Sequence, residues 1–239
     1  MDDFPRCLDE VLAECWPQLR GRIVAVPASS RSVPLTALLV PGGVDRLIGD
    51  FALRYPNQDL RAVASLWAQW SLATTWPPLV VAALVLGAAP RPASIQLLLD
   101  DTHTPAGLAV TSEAERAPAQ HILQTLVRER TAPLLEAVAV AGGMSPRVPW
   151  SNAASILSWT LDQLQVLLPD LHLHPLREML ERRYWPDGSR NPLYVPAARN
   201  GRGTSEGRRV CCLRYRLHGF DYCADCPITA RQRQTAAVE

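Results

Sequence analysis

Four cysteines near the end of the chain are the residues whose types and spacing are best suited to chemistry. Cys211 and Cys212 are adjacent, and Cys223 and Cys226 follow in a C-C-x10-C-x2-C arrangement. Thiolates are ligands for zinc and for iron-sulfur centres. Four of them within sixteen residues favour an inorganic centre that uses every sulfur, and an iron-sulfur cluster is the leading candidate.

The adjacent pair carries most of this argument. Consecutive trans-linked residues have Cα atoms about 3.8 Å apart, whereas a relaxed disulfide spans roughly 4.4 to 6.8 Å. A bridge between Cys211 and Cys212 would therefore be strained. In an extended segment the two side chains leave on opposite faces, so their sulfurs could hold different atoms of one polynuclear centre. The spacing of Cys223 and Cys226, by contrast, allows both sulfurs to turn toward a single metal.

Two other interpretations of the cysteines stay open at this point. A structural zinc ion usually takes two spaced C-x2-C knuckles, and only Cys223 and Cys226 have that form. A regulatory dithiol switch needs thiols of low pKa close to positive charge, but it needs fewer than four. The positive charge could come from four arginines of the same segment, Arg208, Arg209, Arg214 and Arg216.

Composition and charge describe an ordinary globular chain. It has 239 residues and a net charge of +1, and all 24 basic residues are arginine. Near-neutral charge argues against a general nucleic-acid-binding protein. The acidic N-terminus, residues 1–5, lacks the layout of a secretory signal, which predicts a cytoplasmic protein. The longest apolar run, residues 79–89, is shorter than the roughly 20 residues that cross a bilayer. It indicates a core helix and leaves peripheral contact with the inner membrane open.

Helical periodicity dominates the elements that must position the cysteines. The predicted helices span residues 4–19, 44–55, 59–75, 79–87, 117–141, 150–168 and 175–183. Pro77 and Pro78 should start a new helix or kink the old one, and Pro133 should divide the helix that contains it.

Strand signals are few. Residues 95–99 and 107–110 predict a β-hairpin with a polar loop, whereas residues 23–40 indicate an irregular or weakly extended stretch. The predicted fold is therefore α+β and mostly α-helical. A helical body with a small antiparallel hairpin, residues 1–200, is followed by a C-terminal cysteine-rich lobe, residues 201–239, within one compact domain.

Other candidate motifs are weak. The glycines at 201, 203 and 207 miss the G-x-G-x-x-G spacing, and no flanking strand and helix support a nucleotide site. His172 and His174 are expected at the surface, and His218 is not needed as a ligand beside four cysteines. Cys7 and Cys15 lie two turns apart near the apolar stripe of the first helix, where buried thiols pack as small apolar groups.

The C-terminal residues also resemble a known family. The run from Arg208 to Tyr215, R-R-V-C-C-L-R-Y, followed by C-A-D-C at 223–226, resembles the signature of the FhuF-like ferric-siderophore reductases. Trp150-x-Asn152 at the start of a helix, and the helices and hairpin of residues 59–110, are similar to the central region of that family. The resemblance is strong over about residues 145–226 and loose before them.

The resemblance implies a cofactor and an activity. Cys211, Cys212, Cys223 and Cys226 become the ligands of a 2Fe-2S cluster, and the activity becomes one-electron reduction of iron(III) held by a siderophore, typically of the hydroxamate type, in the cytoplasm. Ferric iron is a hard ion that oxygen chelators hold, so its reduction leads to release. The electron donor is not identified by the resemblance.

Arginines beside the cysteines have two possible roles. Arg208, Arg209 and Arg214, with Arg216, could offset the negative charge of a thiolate-bound cluster and contact the chelate, or they could be solvated surface charges. The substrate cleft is expected between the helical body and the cysteine lobe. Trp150, Asn152 and the loop 186–210 are candidates for its walls, although a core anchor and a helix cap are the favoured roles of the two side chains.

Two alternatives from other classes remain at this stage. One is a zinc-stabilised module that binds a siderophore or a partner without redox activity. The other is an acyl-transfer or synthetase-like role in siderophore assembly, since part of that enzyme group has a similar helical module. Such an enzyme needs a nucleotide site, and the sequence contains no phosphate-binding loop.

Overall fold

A long apolar helix forms the centre of the fold. In the computed structural model, which describes residues 3–26, 31–194, 208 and 210–228, this helix runs from Leu60 to Val81. Asp59 caps it by accepting a hydrogen bond from the Arg61 N–H, which satisfies one of the unpaired donors of the first turn. Trp67 and Trp76 are almost fully buried along it. The helix therefore lies inside the protein rather than on its surface.

Eight α-helices and six short strands are present in the described residues, and they are numbered in chain order. The helices are α1 (Phe4–Cys15), α2 (Leu35–Leu38), α3 (Gly43–Ala52), α4 (Leu60–Val81), α5 (Ala119–Thr125), α6 (Ala132–Ala141), α7 (Arg147–Leu167) and α8 (His174–Glu181). The strands are β1 (Ile23–Ala25), β2 (Ser32–Pro34), β3 (Ala88–Pro90), β4 (Ile95–Leu99), β5 (Pro105–Val110) and β6 (Ala114–Arg116). The mostly helical α+β prediction is confirmed.

Prolines affect two helices differently. No new helix begins at Pro77 and Pro78, because α4 continues through both and passes into a π-helical turn, Ala82–Leu86. Pro133 does divide the helix predicted over 117–141, since it lies in the first turn of α6, where a missing N–H costs least. A second π-helical turn, Leu126–Thr131, separates α5 from α6.

The predicted hairpin is present, but it belongs to a larger sheet. β4 and β5 are antiparallel, with Ile95 opposite Val110, in a four-stranded sheet of order β1-β5-β4-β2. β1 pairs in parallel with β5, and β2 pairs with the other edge of β4. Residues 23–40, predicted as an irregular or weakly extended stretch, contain two short edge strands, which agree with the extended character, and a short helix, α2, which was not predicted. Strands of three residues are too short to show a clear alternation in sequence.

The helix α4 passes the length and composition test for a membrane span when its π turn is included. The run Leu60–Leu86 is the one helix of the described residues that does so. More than half of its most apolar window, 56%, is buried within the protein. Because α3, α6, α7 and β5 all pack against it, its apolar character is explained by its place in the core.

Candidate metal centre

The cysteines lie in a short lobe at the end of the described chain. This cysteine lobe, residue 208 and residues 210–228, contains one regular element, a 3₁₀ turn at Arg214–Arg216. Cys212 and Cys226 are buried, whereas Cys211 and Cys223 are partly exposed. A segment with so little regular structure is held in place mainly by its contacts with the helical body and by whatever its cysteines bind.

The cysteine side chains make two contacts between the doublet and the C-x2-C segment. The Sγ atoms of Cys212 and Cys223 lie 3.7 Å apart, well beyond the length of about 2.05 Å of a disulfide bond. The side chain of Cys211 interacts with that of Cys226. Each pair therefore joins one buried and one partly exposed cysteine.

These contacts link the adjacent doublet to the C-x2-C segment. Cys223 and Cys226 each contact a member of the doublet, and their ability to face a single metal stays a prediction. Cys211 and Cys212 have different contacts in the second segment, and their binding to different atoms of one centre also stays a prediction. Among the described residues, no three cysteine, histidine or carboxylate side chains form a group that could hold one metal ion.

The backbone next to the doublet adopts an unusual conformation. Leu213 has φ of +65°, in the left-handed region that leucine rarely occupies. In this conformation its N–H donates a hydrogen bond to Cys211 Sγ at 3.3 Å. Hydrogen bonds to a ligand sulfur are one of the ways in which a protein raises the potential of an iron-sulfur cluster.

The thiols are held in an environment that disfavours uncompensated thiolates. Burial raises the pKa of Cys211, and the nearby Cys212 and Cys226 raise it further against the opposing Leu213 N–H. Burial, followed by the neighbouring Cys212 and Asp225, also raises the pKa of Cys223 strongly. Negative sulfurs this close together repel one another, so a positively charged centre bound between them removes that cost.

The lobe packs against the start of α4. Arg216 forms an ion pair with Asp59, the capping residue of α4. The backbone N–H of His218 donates to Gln58 Oε1 at 2.6 Å. The ring of Phe220 contacts that of Tyr55, with centroids 6.2 Å apart. His218 is exposed, and its expected dispensability as a ligand stays a prediction.

The arginines named from sequence have different surroundings. The Arg208 side chain is only 8% exposed and forms an ion pair with Asp225 at 2.9 Å. Arg214 donates to the Asp221 carbonyl at 3.2 Å, and its guanidinium lies over the Phe220 ring. Arg209 lies outside the described residues. Among the arginines that the structure describes here, Arg208 is therefore the one with a buried charge beside the cysteine segments.

Asp225, inside the C-x2-C segment, is the partner of that charge. Burial pushes the pKa of Asp225 upward, but the adjacent Arg208 outweighs this effect, and the pKa is lowered. Asp225 was overlooked in the sequence, although its position between two cysteines was a usable signal. Ser65 was also overlooked, and nothing in the local pattern of α4 distinguishes it from other small core residues.

Trp150 and Asn152 both lie in the interior. Trp150 is buried in the core cluster, as the core-anchor interpretation predicted. Asn152 is fully buried, but it does not cap α7, because Pro146 occupies the capping position. Its amide instead contacts Arg208 and Ser65. The cleft predicted between body and lobe stays a prediction, since residues 195–207 of the loop lie outside the described part of the chain.

The donor set fits a two-iron centre. A 2Fe-2S cluster bound by four cysteines takes two thiolates at each iron, and the described sulfurs form two pairs. A single tetrahedral zinc ion would require all four sulfurs around one point. When present, the cluster supplies a reversible one-electron carrier, and the four cysteines are the residues that could hold it.

Comparisons with known proteins identify the family of the chain and the type of its C-terminal domain. Residues 65–205 match the family described as "Ferric iron reductase FhuF-like transporter", and residues 208–227 match the "FhuF 2Fe-2S C-terminal domain". The chain is also 27% identical over 217 residues to a ferric siderophore reductase of Escherichia coli (strain K12), which covers 84% of this chain and 81% of that protein.

A similar fold occurs as part of a larger enzyme of known structure. The ATP-bound aerobactin synthetase IucA from a hypervirulent pathotype of Klebsiella pneumoniae superposes with a TM-score of 0.53 at 17% sequence identity. The match covers 69% of this chain and 37% of the synthetase chain, so the chain spans well under half of that protein. At this identity the likeness shows the fold alone.

The family matches define an iron-sulfur reductase, and the fold gives it a helical body. The chain belongs to the FhuF family of ferric iron reductases, and its cofactor is a 2Fe-2S cluster. The alternative of a zinc-stabilised module without redox activity is not supported, because the model that matches the cysteine lobe is that of a 2Fe-2S domain.

Proposed function

We propose that this chain is a cytoplasmic ferric-siderophore reductase in which Cys211, Cys212, Cys223 and Cys226 bind the 2Fe-2S cluster. The observation that carries the proposal is the two-pair arrangement of the sulfurs, with Cys212 and Cys223 at 3.7 Å, inside the segment that matches a 2Fe-2S domain. The curated relative is a ferric siderophore reductase, which supports siderophore-bound iron(III) as the substrate.

The cluster supplies one electron, and reduction of iron(III) to iron(II) weakens its hold on oxygen ligands. The protein contributes a site that is closed on one side and open on the other. Cys212 and Cys226 are buried against the body, whereas Cys211 and Cys223 are partly exposed. An iron chelate, and the still unidentified electron donor, would approach from the exposed side.

Charge favours a chelate of the hydroxamate class. Two of the three described arginines next to the cysteines are neutralised by carboxylates, Arg208 by Asp225 and Arg216 by Asp59. Arg214 contacts only the neutral Asp221 carbonyl and Phe220 ring and keeps its charge. One such charge is little for a highly anionic ligand. Three singly charged hydroxamates balance the charge of iron(III), so their complex needs no such compensation.

Two stacked tyrosines provide a contact surface beside Cys223. The rings of Tyr215 and Tyr222 are 4.9 Å apart and nearly parallel, and Tyr222 is 43% exposed. Aromatic rings provide apolar contact area at low entropic cost. We expect Tyr222→Ala to raise KM for a ferric hydroxamate several-fold and to leave the visible spectrum of the cluster unchanged. An unchanged KM would remove the pair from substrate binding.

The decisive experiment is anaerobic purification with visible and EPR spectra before and after dithionite. A ferric hydroxamate is then added to the reduced protein while iron(II) is trapped. We expect a coloured protein with two irons per chain that is reoxidised as iron(II) appears. Each of the four lobe cysteines changed to serine should lose the spectrum, whereas Cys7→Ser, a matched change in α1, should keep it. A colourless protein with stoichiometric zinc would overturn the proposal.

A further inference from the structure

A buried polar network joins the cysteine lobe to two core helices. Asn152 of α7 and Ser65 of α4 are both fully buried, and the side chain of Arg208 is 8% exposed. Polar groups at such depth are costly unless every donor and acceptor has a partner. These three side chains lie at the contact between the cysteine lobe and the helical body, so the bonds between them fix the position of the lobe.

The direction of each hydrogen bond can be assigned. Arg208 has donors only, so the Asn152 atom 2.7 Å from its Nη1 must be the carbonyl oxygen. The Asn152 amide nitrogen then donates to Ser65 Oγ at 3.0 Å and to the Ser65 carbonyl at 3.2 Å. The Ser65 hydroxyl hydrogen is left to donate to the Cys212 carbonyl at 2.7 Å. The chain of bonds ends on the backbone of a buried cysteine.

Arg208 also holds the second cysteine segment. Its Nε donates to Asp225 Oδ2 at 2.9 Å, and its backbone N–H donates to the Asp225 carbonyl at 2.9 Å. Ser155 of α7 donates to the same carboxylate oxygen at 3.2 Å. One side chain therefore connects the segment of Cys223 and Cys226 through Asp225, and that of Cys212 through Asn152 and Ser65.

We propose that Asn152, Ser65 and Arg208 are positioning residues that set the spacing of the two cysteine segments and offset the Asp225 charge beside the cluster, so that they control cluster retention and reduction potential. The proposal rests on the assignment of the four cysteines as cluster ligands. None of the three side chains needs to contact a sulfur or the substrate for this role.

The electrostatic part of the proposal has a definite sign. Arg208→Gln leaves the Asp225 carboxylate without its cationic partner next to a site that becomes more negative on reduction. An extra negative charge there disfavours the incoming electron, so the midpoint potential should fall. Changing both residues, Arg208→Gln with Asp225→Asn, removes both charges and should return the potential toward the wild-type value.

The geometric part is tested by Asn152→Asp, which is nearly isosteric. An aspartate can still accept from Arg208, but it cannot donate to Ser65, and it adds a buried negative charge. We expect a lower midpoint potential and release of iron to a chelator on the order of tenfold faster. Ser65→Ala removes the bond to the Cys212 carbonyl and the hydroxyl that accepts from the Asn152 amide, but it adds no charge, so it should speed iron release with a smaller change in midpoint potential.

The experiment compares these full-length variants, purified anaerobically, with Arg177→Gln as the matched control. Arg177 also pairs with an aspartate, Asp162 of α7. Its replacement should leave the iron content, the midpoint potential and the rate of iron loss unchanged. The readouts are iron per chain, the midpoint potential from a spectroscopic redox titration, and the rate of iron loss to a chelator. Arg208→Lys keeps the positive charge, so its midpoint potential should stay close to that of wild type. It should lose iron faster, because lysine cannot contact Asp225 and Asn152 at once as the guanidinium does.

The outcomes separate this inference from the proposed function. Wild-type protein without a 2Fe-2S spectrum would sink the proposed function. Wild-type protein with the spectrum, together with Arg208→Gln and Asn152→Asp variants of unchanged potential and iron release, would sink the inference alone. If Arg208→Gln fails to fold, the decision passes to Asn152→Asp and Arg208→Lys. If these two variants have native circular dichroism but bind less iron than wild type, the inference is supported. If they keep the wild-type iron content and rate of iron release, the inference is overturned.

Discussion

Single residues around the doublet decide how the sulfurs are presented. Leu213 shows this directly, because its left-handed backbone conformation directs an N–H at Cys211 Sγ. A left-handed conformation costs a residue other than glycine roughly 1 to 2 kcal/mol. This conformation lets the chain turn between the doublet and the 3₁₀ turn. The packing of the Leu213 side chain against the core helps to offset its cost.

Replacing Leu213 with two different small residues tests this interpretation. Glycine and valine both remove the leucine side chain, but only glycine accepts φ of +65° without strain. We expect Leu213→Val to be less stable than Leu213→Gly by about 1 to 2 kcal/mol and to lose iron faster. Urea unfolding and chelator assays measure the two effects. Equal stability of the two variants would show that the backbone relaxes at no cost.

At the scale of elements, close backbone approaches and loops govern the sheet that packs on α4. Gly107 of β5 lies where an added Cβ would be 2.6 Å from the Arg22 carbonyl oxygen, next to the parallel β1 pairing. Because that neighbour is backbone, it cannot move aside without disturbing the pairing. Glycine at this position is therefore required by space rather than by a turn.

A pair of glycine substitutions tests the packing of β1 on β5. Gly107→Ala should destabilise the protein by about 1 to 3 kcal/mol, because overpacking displaces a strand. Gly49→Ala is the matched control, since Gly49 is exposed in α3 with open space around it. The control should raise stability by up to about 1 kcal/mol through helix propensity. Thermal unfolding of both variants measures the difference, and a neutral Gly107→Ala would contradict the close approach.

The hairpin loop predicts a small dependence of stability on pH. Asp100 Oδ1 accepts hydrogen bonds from the Thr102 and Thr104 N–H groups at 2.8 and 3.0 Å. Burial raises the pKa of Asp100, but the hydrogen bonds outweigh it and the pKa is lowered. A lowered folded-state pKa stabilises the protein above the unfolded value of about 3.9, and this contribution is lost as pH falls through the folded value.

Asp100→Asn should remove that contribution. Because the loop is exposed, we expect wild type to exceed the variant by less than about 1 kcal/mol near pH 7, with the gap shrinking as pH falls below about 4. Comparing urea unfolding of the two proteins at each pH cancels any shared loss of the cluster. A gap that widened in acid would contradict the sign derived from the lowered pKa.

At the scale of the whole molecule, the helical body and the cysteine lobe differ in what stabilises them. The body has a continuous apolar core that includes α1, α3, α4 and α7. The described lobe has one 3₁₀ turn and joins that core through Leu213, Leu217 and Phe220 as well as through polar contacts. The division into residues 1–200 and 201–239 stays a prediction. It implies that the lobe needs the cluster more than the body does.

Removal of the cluster by a chelator tests this division. We expect amide hydrogen exchange to accelerate across residues 210–228, while α4 and α7 keep their protection. Hydrogen exchange with mass spectrometry on the full chain, before and after chelation, measures both. Loss of protection throughout α4 would show instead that the body depends on the cluster and that the chain is a single cooperative unit.

Local signals were enough for several features of this protein. Adjacent cysteines excluded a relaxed bridge by covalent geometry alone, and the spacing of C-C-x10-C-x2-C with its flanking residues indicated both the family and the cofactor. Apolar periodicity predicted most helices and the hairpin of β4 and β5, because a repeating pattern is visible within a short window.

Other features depended on contacts between residues far apart in the chain. The parallel pairing of β1 with β5 and the path from Arg208 through Asn152 to Ser65 each join distant segments. No local pattern marks Ser65 in α4 as a partner of a cysteine carbonyl 147 positions later. Residue types and spacing determined which chemistry this chain can support. Only tertiary packing decided which sulfurs pair and which buried groups hold them, because those choices arise when separate helices exclude water from the same polar atoms.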